Sequence, residues 1–281
     1  MSGTILSVRD LSLEYRSSRR GEPFRAIDRV SFAIAQGEII GLVGESGSGK
    51  TTIARCISRL VNPTSGQILF RDEDIVPMSY RQLGPVRRYI KMVFQDPRGS
   101  LSPRMTVAQI VEEGLIVHEP ALTRRQRRAR VDAVLADVEI GTAMRDRRPR
   151  ALSGGQCQRV AIARALAAGP KLLVCDEAVS ALDVSIQAQI CNLLLNLRDR
   201  LGLSVLFITH DLAVARQLCD RVIVMNEGRI VELAPTEQLF TKPQAEYTRE
   251  LLASIPRPTL TVRPFLSLID PTSSKVEGSS P

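Results

Sequence analysis

Apolar positions along the chain change their period several times, and those changes divide it. Residues 4–9 and 30–35 concentrate apolar side chains as strands do, and the polar stretch Ser17–Pro23 between them reads as an exposed loop. Gly37 and Glu38 make a turn, and the run Ile39–Val43 is apolar throughout, as expected of a strand buried on both faces. A glycine-rich loop follows, then helical spacing over about 51–60, a turn at Asn62–Gly66, and strands at Gln67–Phe70 and 90–94. Within 106–117 and 126–138 the apolar residues recur at helical spacing with no confident strand. Alternation then returns: helix 154–168, strand 171–175, helix 185–200, strand 204–208, helix 211–218, and strands near 221–226 and 229–233.

This order predicts an α/β fold in which a sheet carries helices on its faces and a mostly helical subdomain, about 96–165, is inserted. Residues 1–255 are read as one domain. Residues 256–281 hold several Pro and Ser and lack periodicity, and are read as a tail, disordered beyond about Leu268.

Composition narrows the classes. Of 281 residues, 44% are apolar and 24% charged, ordinary for a globular protein, while aromatics at 4% and no Trp argue against a surface that stacks on many bases. The net charge of +8 suits a polyanionic partner. Arginines gather at 124, 125, 127, 128 and 130 and at 145, 147, 148 and 150, and both groups are read as exposed helix and loop. Cys56, Cys157, Cys175, Cys191 and Cys219 are odd in number and lack metal-ligand spacing, so buried reduced thiols are expected. The N-terminus does not read as a secretory signal, and no apolar run approaches the ~20 residues that span a bilayer.

The chemistry begins at Gly44-Glu45-Ser46-Gly47-Ser48-Gly49-Lys50-Thr51, continued by Thr52. The segment fits G-x-x-x-x-G-K-[ST] and stands between a buried strand and a helix, where glycines let backbone N–H groups wrap phosphates. Lys50 would reach the β and γ phosphates, and Thr51 would ligate Mg²⁺. Strand 171–175 runs into adjacent carboxylates, Asp176 to hold Mg²⁺ and Glu177 to activate a water, at the strand end where α/β sheets place ligands. Leu152-Ser153-Gly154-Gly155-Gln156 opens a helix and is read as a second phosphate site. A plain Ser N-cap accounts for less of it, because two glycines in a first turn disfavour the helix unless backbone must approach closely. One ATP does not need two cradles in one chain, so each chain is expected to lend Leu152–Gln156 to a nucleotide held by another.

Taken together, these motifs resemble the nucleotide-binding subunits of ATP-binding cassette (ABC) transporters, over about residues 4–255. The resemblance implies a P-loop NTPase (RecA-like) core with an N-terminal antiparallel β subdomain and an inserted α-helical subdomain. It also implies roles for Gln95 as the Q-loop glutamine contacting Mg²⁺, for Asp183 of Ser180–Asp183 in the D-loop, for His210 as the switch histidine at the γ-phosphate, and for Tyr15, with Phe24 as a competitor, stacking on adenine. Met92–Pro103, Ser153–Ala165, Asp176–Asp183 and Ala245–Leu252 are closest to the oligopeptide/dipeptide/nickel importer ATPases. Many of those carry cysteines in a C-terminal extension; none follows Cys219 here, so no iron–sulfur cluster is expected. The implied partners are two permease subunits, a second ATPase subunit and, indirectly, a solute-binding protein, at the cytoplasmic face of the membrane; no nucleic acid is expected. The competing readings are an ABC ATPase of translation or nucleic acid, and an accessory ATPase of a phosphonate-cleaving complex. A P-loop kinase has no use for Leu152–Gln156.

Overall fold

The structure, a computed structural model, describes residues 3–15 and 24–254. The loop expected at Ser17–Pro23 and the tail expected over 256–281 lie outside the described residues.

Two sheets build the frame. The first is antiparallel, in the order β2-β1-β4-β5, from β1 (Thr4–Tyr15), β2 (Phe24–Ala35), β4 (Ser65–Phe70) and β5 (Glu73–Asp74). The second has the order β10-β9-β3-β8-β7-β6, from β3 (Ile39–Val43), β6 (Ile90–Val93), β7 (Leu172–Asp176), β8 (Ser204–Ile208), β9 (Arg221–Asn226) and β10 (Arg229–Pro235). In that sheet β9, β3, β8, β7 and β6 are parallel and only β10 runs against its neighbour.

The parallel strands are mostly apolar because both faces are covered. Successive side chains point to opposite faces. Val43, Leu173, Cys175, Val205 and Phe207 join one core with the helices α4 (Val107–His118), α5 (Arg124–Asp137), α6 (Gly154–Leu166), α7 (Val184–Leu201) and α8 (Leu212–Leu218). Their neighbours Leu42, Leu172, Val174, Leu206 and Ile208 join a second core with β1, β2 and α1 (Lys50–Ile57). Because the strands run parallel with Asp176 level with Ile208 and Val93 level with Cys175, the loops after β3, β6, β7 and β8 leave the sheet at one edge.

Between β6 and β7 the chain is helical: α3 (Pro97–Ser100), α4, α5, two 3₁₀ turns at Thr142–Met144 and Pro149–Ala151, and α6. Capping boxes start α4 (Thr106 with Gln109), α5 (Thr123 with Gln126) and α6. Most of the clustered arginines are exposed. Arg127 and Arg145 are half-buried and pair with Glu112 and Asp132.

The first two strands are longer than their pattern predicts: β1 continues to Tyr15, and β2 begins at Phe24. Asp10 and Arg29 take left-handed φ of 47° and 49°, and register shifts accompany them, so the period-2 alternation breaks where the pairing continues. Three short helices have no clear pattern: α2 (Leu83–Tyr89), α3 and α9 (Thr236–Thr241). The last described helix, α10 (Glu246–Ala253), falls on the expected C-terminal segment. All five cysteines are free and buried. Burial pushes the Cys56 and Cys191 thiols up to about 11 and raises those of Cys157, Cys175 and Cys219. No helix among the described residues is long and apolar enough to cross a membrane.

Candidate active site

The glycine-rich loop is shaped by what stands behind it. A Cβ at Gly44, where φ is 150°, would lie 2.3 Å from the Met225 carbonyl oxygen, and one at Gly49, where φ is 100°, would lie 2.6 Å from the Ala26 oxygen. Neither position tolerates a side chain. A Cβ at Gly47 would meet nothing within 4 Å, so the loop is open on that side, where Glu45 and Ser46 are also exposed. Gly49 is the N-cap of α1 and provides no side-chain cap, which leaves first-turn N–H groups for an anion.

Lys50 is 5% exposed, and its Nζ donates to the Gly44 oxygen at 2.8 Å, the Glu45 oxygen at 2.6 Å and Ser48 Oγ at 3.3 Å. Burial lowers its pKa, while Glu177, Asp176 and Glu45 work in the other direction. The hydroxyl of Thr51 donates to Asp176 Oδ1 at 3.0 Å; Thr52 follows on α1, half-buried. Burial pushes the Asp176 carboxyl up, and the Thr51 hydrogen bond opposes that shift.

Glu177 takes a left-handed φ of 47°, a conformation that costs about 1 kcal/mol or more for a residue with a Cβ. Its N–H donates to the Ile208 oxygen at 3.0 Å, and its own carbonyl accepts from Ser180 Oγ at 3.0 Å. The turn aims the carboxylate at two residues from the loops after β6 and β8. Gln95 Nε2 donates to Glu177 Oε2 at 2.7 Å, and His210 Nδ1 lies 3.6 Å from Oε1. Thr209 Oγ1 accepts from the Asp211 N–H, and Asp211 caps α8 through the N–H groups of Ala213 and Val214. With capping done by its neighbours, His210 turns its ring to Glu177, its side chain 57% exposed.

The Ser153 segment caps its own helix. Ser153 Oγ accepts from Gln156 N at 3.2 Å and Gln156 Oε1 accepts from Ser153 N at 2.9 Å, so the plain helix cap is formed. The glycines have a reason within the chain: a Cβ at Gly155 would lie 2.6 Å from Ile186 Cγ2, and one at Gly154 3.4 Å from Leu182 Cδ2. They let α6 approach the start of α7. Asp183 is the exposed N-cap of α7, with no side-chain cap bond. Ser153, Gly155 and Gln156 line a surface pocket with Met144, Arg159 and Ile186, and no residue of Gly44–Thr52 lines it.

The chain therefore brings together Lys50, Thr51, Asp176, Glu177, Gln95 and His210, while Gly154 and Gly155 pack against Leu182 and Ile186. Tyr15 and Phe24 are cross-strand partners, 43% and 65% exposed. The wall behind the loop, from Ala26, Met225 and Gly228, was missed by the sequence reading: it is made of backbone from distant segments, and only Gly228 is a visible signal.

Residues 27–180 match the family model described as ABC transporter. A putative peptide import ATP-binding protein of Brucella ovis is 51% identical over 254 residues, covering 90% of this chain and 79% of that protein. The oligopeptide transport ATP-binding protein OppF of Bacillus subtilis is 44% identical over 92% of this chain and 84% of its own. Among solved structures, the dimeric post-hydrolysis state of an ATP-binding cassette bound to ADP and Pi superposes with a TM-score of 0.75 at 32% identity, covering 82% of this chain and 98% of that one. CbiO1 of Clostridium perfringens, part of an ABC transporter complex, gives 0.77 at 31% identity over 90% and 96%. The chain belongs to the ABC transporter family, as an ATP-binding cassette.

Proposed function

We propose that this chain hydrolyses Mg-ATP held by Gly44–Thr52 and thereby drives uptake of di- or oligopeptides, or a related small solute such as nickel, through two separate permease subunits at the cytoplasmic face of the membrane. The observation that carries the hydrolytic reading is the convergence of Gln95 and His210 on Glu177 beside the loop that holds Lys50. The peptide reading is supported by the names of the relatives, and a solute-binding protein would deliver the cargo to the permeases.

The residues present fit the nucleotide and its metal. Uncapped N–H groups at α1 and the open side of Gly47 suit phosphates, and the Lys50 ammonium, turned onto its own loop, has only to exchange carbonyl oxygens for phosphate oxygens. Thr51, Asp176 and Gln95 would hold Mg²⁺; oxygen donors of this kind suit an ion that keeps water and phosphate oxygens among its ligands. The metal supplies charge neutralisation on the phosphates. Glu177 accepts the proton of the attacking water; Gln95 and His210 orient that water and the γ-phosphate. Tyr15 or Phe24 covers the adenine.

Residues 1–255 form the ATPase domain in this reading, with the helical subdomain about 96–165 carrying Ser153. Ser153, Gly154, Gly155 and Gln156 complete the site of a second ATPase subunit across an interface that includes Asp183. Two observations support this: the surface pocket that Ser153, Gly155 and Gln156 line includes no residue of Gly44–Thr52, and the solved cassette with ADP and Pi is a dimer. Glu177→Gln tests the hydrolytic reading. It removes the base and keeps the shape, so nucleotide binding persists while turnover falls by about 10²-fold or more; wild-type turnover in that variant removes Glu177 from the role.

A further inference from the structure

Behind the phosphate loop, on the side away from its open face, a buried carboxylate gathers arginines from two strands. Asp28, on β2, is 8% exposed. Its oxygens lie 2.6 Å from Arg229 Nη2, 3.1 Å from Arg25 Nη1 and 3.6 Å from Arg29 Nε. Burial opposes ionisation, and the charges of Arg229, Arg25 and Arg29 outweigh it, holding the carboxyl below the usual carboxylate range.

The backbone around this cluster forms the wall of the loop. Asp28 N donates to the Gly228 oxygen at 2.9 Å, and Gly228 N donates to the Ser48 oxygen at 3.2 Å, inside the loop. The Ala26 oxygen, two residues before Asp28, and the Met225 oxygen, three before Gly228, are the atoms that exclude a side chain at Gly49 and Gly44. The wall is thus two strand segments from opposite ends of the chain, meeting at the Glu227–Gly228 turn. Ser48 also accepts from Lys50 Nζ through its hydroxyl, so a shift of the turn moves a residue that Lys50 touches.

The cluster reaches the other end of the nucleotide site as well. Arg25 Nε donates to Glu14 Oε1 at 2.9 Å, and Glu14 and Arg25 are paired immediately beside Tyr15 and Phe24.

We infer that Asp28 is a positioning residue for nucleotide binding: with Arg229 it clamps the Glu227–Gly228 turn against β2 as the rear wall of the phosphate loop, and through Arg25 and Glu14 it fixes the hairpin end that bears Tyr15 and Phe24. The inference rests on the reading that Gly44–Thr52 holds the phosphates. Asp28 touches no reacting atom. Its effect is on how well the loop is organised before ATP arrives, so it belongs to binding rather than to the chemical step.

The test uses the full chain and compares wild type with Asp28→Asn, Arg229→Met and Arg229→Lys. It reads the Kd for a fluorescent ATP analogue, KM and kcat for ATP, and the unfolding midpoint. Arg229 is largely exposed, so its replacement leaves a folded protein even if Asp28→Asn does not. The expected result is a rise of about tenfold in Kd and KM for Asp28→Asn and Arg229→Met with kcat at saturating ATP within about twofold of wild type. Arg229→Lys, which keeps the charge without the fork, retains most of the affinity. Unchanged Kd and KM in folded Arg229→Met, or a loss confined to the unfolding midpoint, overturns the inference. Failure of the wild-type chain to bind ATP overturns instead the reading on which it rests.

Discussion

The side-chain amide of Gln95 donates to the Glu177 carboxylate at 2.7 Å, joining the connection after β6 to the end of β7. These strands are neighbours in the sheet, and their ends are level, Val93 beside Cys175. The contact is therefore set by strand register. Gln95→Ala keeps the fold and frees the carboxylate to move, which matters for the base proposed at Glu177, since it must meet a water in one orientation. Turnover is expected to fall by about 10- to 10²-fold with a smaller change in KM, read in steady-state ATPase kinetics. A change in KM alone would make Gln95 a binding residue.

The Thr51–Asp176 hydrogen bond gives a second expectation. Asp176→Asn keeps an acceptor for Thr51 and removes the negative charge. The Mg²⁺ concentration for half-maximal turnover is expected to rise by about 10-fold or more, in a titration at fixed ATP. An unchanged Mg²⁺ requirement would take Asp176 out of the metal site.

Gly155 tests the packing of α6 on α7. A β-carbon there would stand 2.6 Å from Ile186 Cγ2, so Gly155→Val forces α6 and α7 apart and costs about 1–3 kcal/mol, read by chemical denaturation. Ile186→Ala in the same chain restores part of that loss by opening the space. Without such a rescue, Gly155 serves something other than the α6–α7 contact.

A pH dependence follows from Lys91 and His118. Lys91 Nζ lies 2.7 Å from His118 Nε2, joining β6 to the last residue of α4; Arg88 and Glu119 are the other charges acting on the imidazole. Burial lowers the His118 pKa below 6.5, and Lys91 and Arg88 add to it, with Glu119 opposing; burial first and then Arg164 lower Lys91 to about 8. A base with a depressed folded pKa binds its proton less readily folded than unfolded. Its stability contribution is whole above pH 6.5 and is lost as pH falls through the folded value. The unfolding midpoint is expected to fall on acidification below pH 6.5, and His118→Gln to flatten that fall. An identical pH profile in the variant would assign the acid sensitivity to other groups.

Much of the site was legible because the parallel strands are buried on both faces. Most read as apolar runs, and the residues that follow them, Gly44 after Val43, Gln95 after Phe94, Glu177 after Asp176 and His210 after Thr209, stand out against them. Local chemistry hid the rest. Left-handed residues at Asp10 and Arg29 broke the alternation that would have extended the first two strands. The capping box at Ser153 and Gln156 is written in the sequence, yet the need for Gly155 is not, since Ile186 belongs to another helix. The rear wall of the phosphate loop was illegible, because backbone carbonyls of Ala26 and Met225 carry no residue-type signature.

The central claim is that each ATP is enclosed by Lys50 of one cassette and Ser153 of another. Two copies of the chain joined in tandem test it, carrying Lys50→Ala and Ser153→Arg either in the same copy or in different copies. Lesions in different copies fall on one composite site and leave the other whole, so that tandem retains ATP turnover. Lesions in the same copy spoil both sites, so that tandem loses it. The reverse pattern, turnover kept when one copy carries both changes and lost when they are separated, contradicts the account.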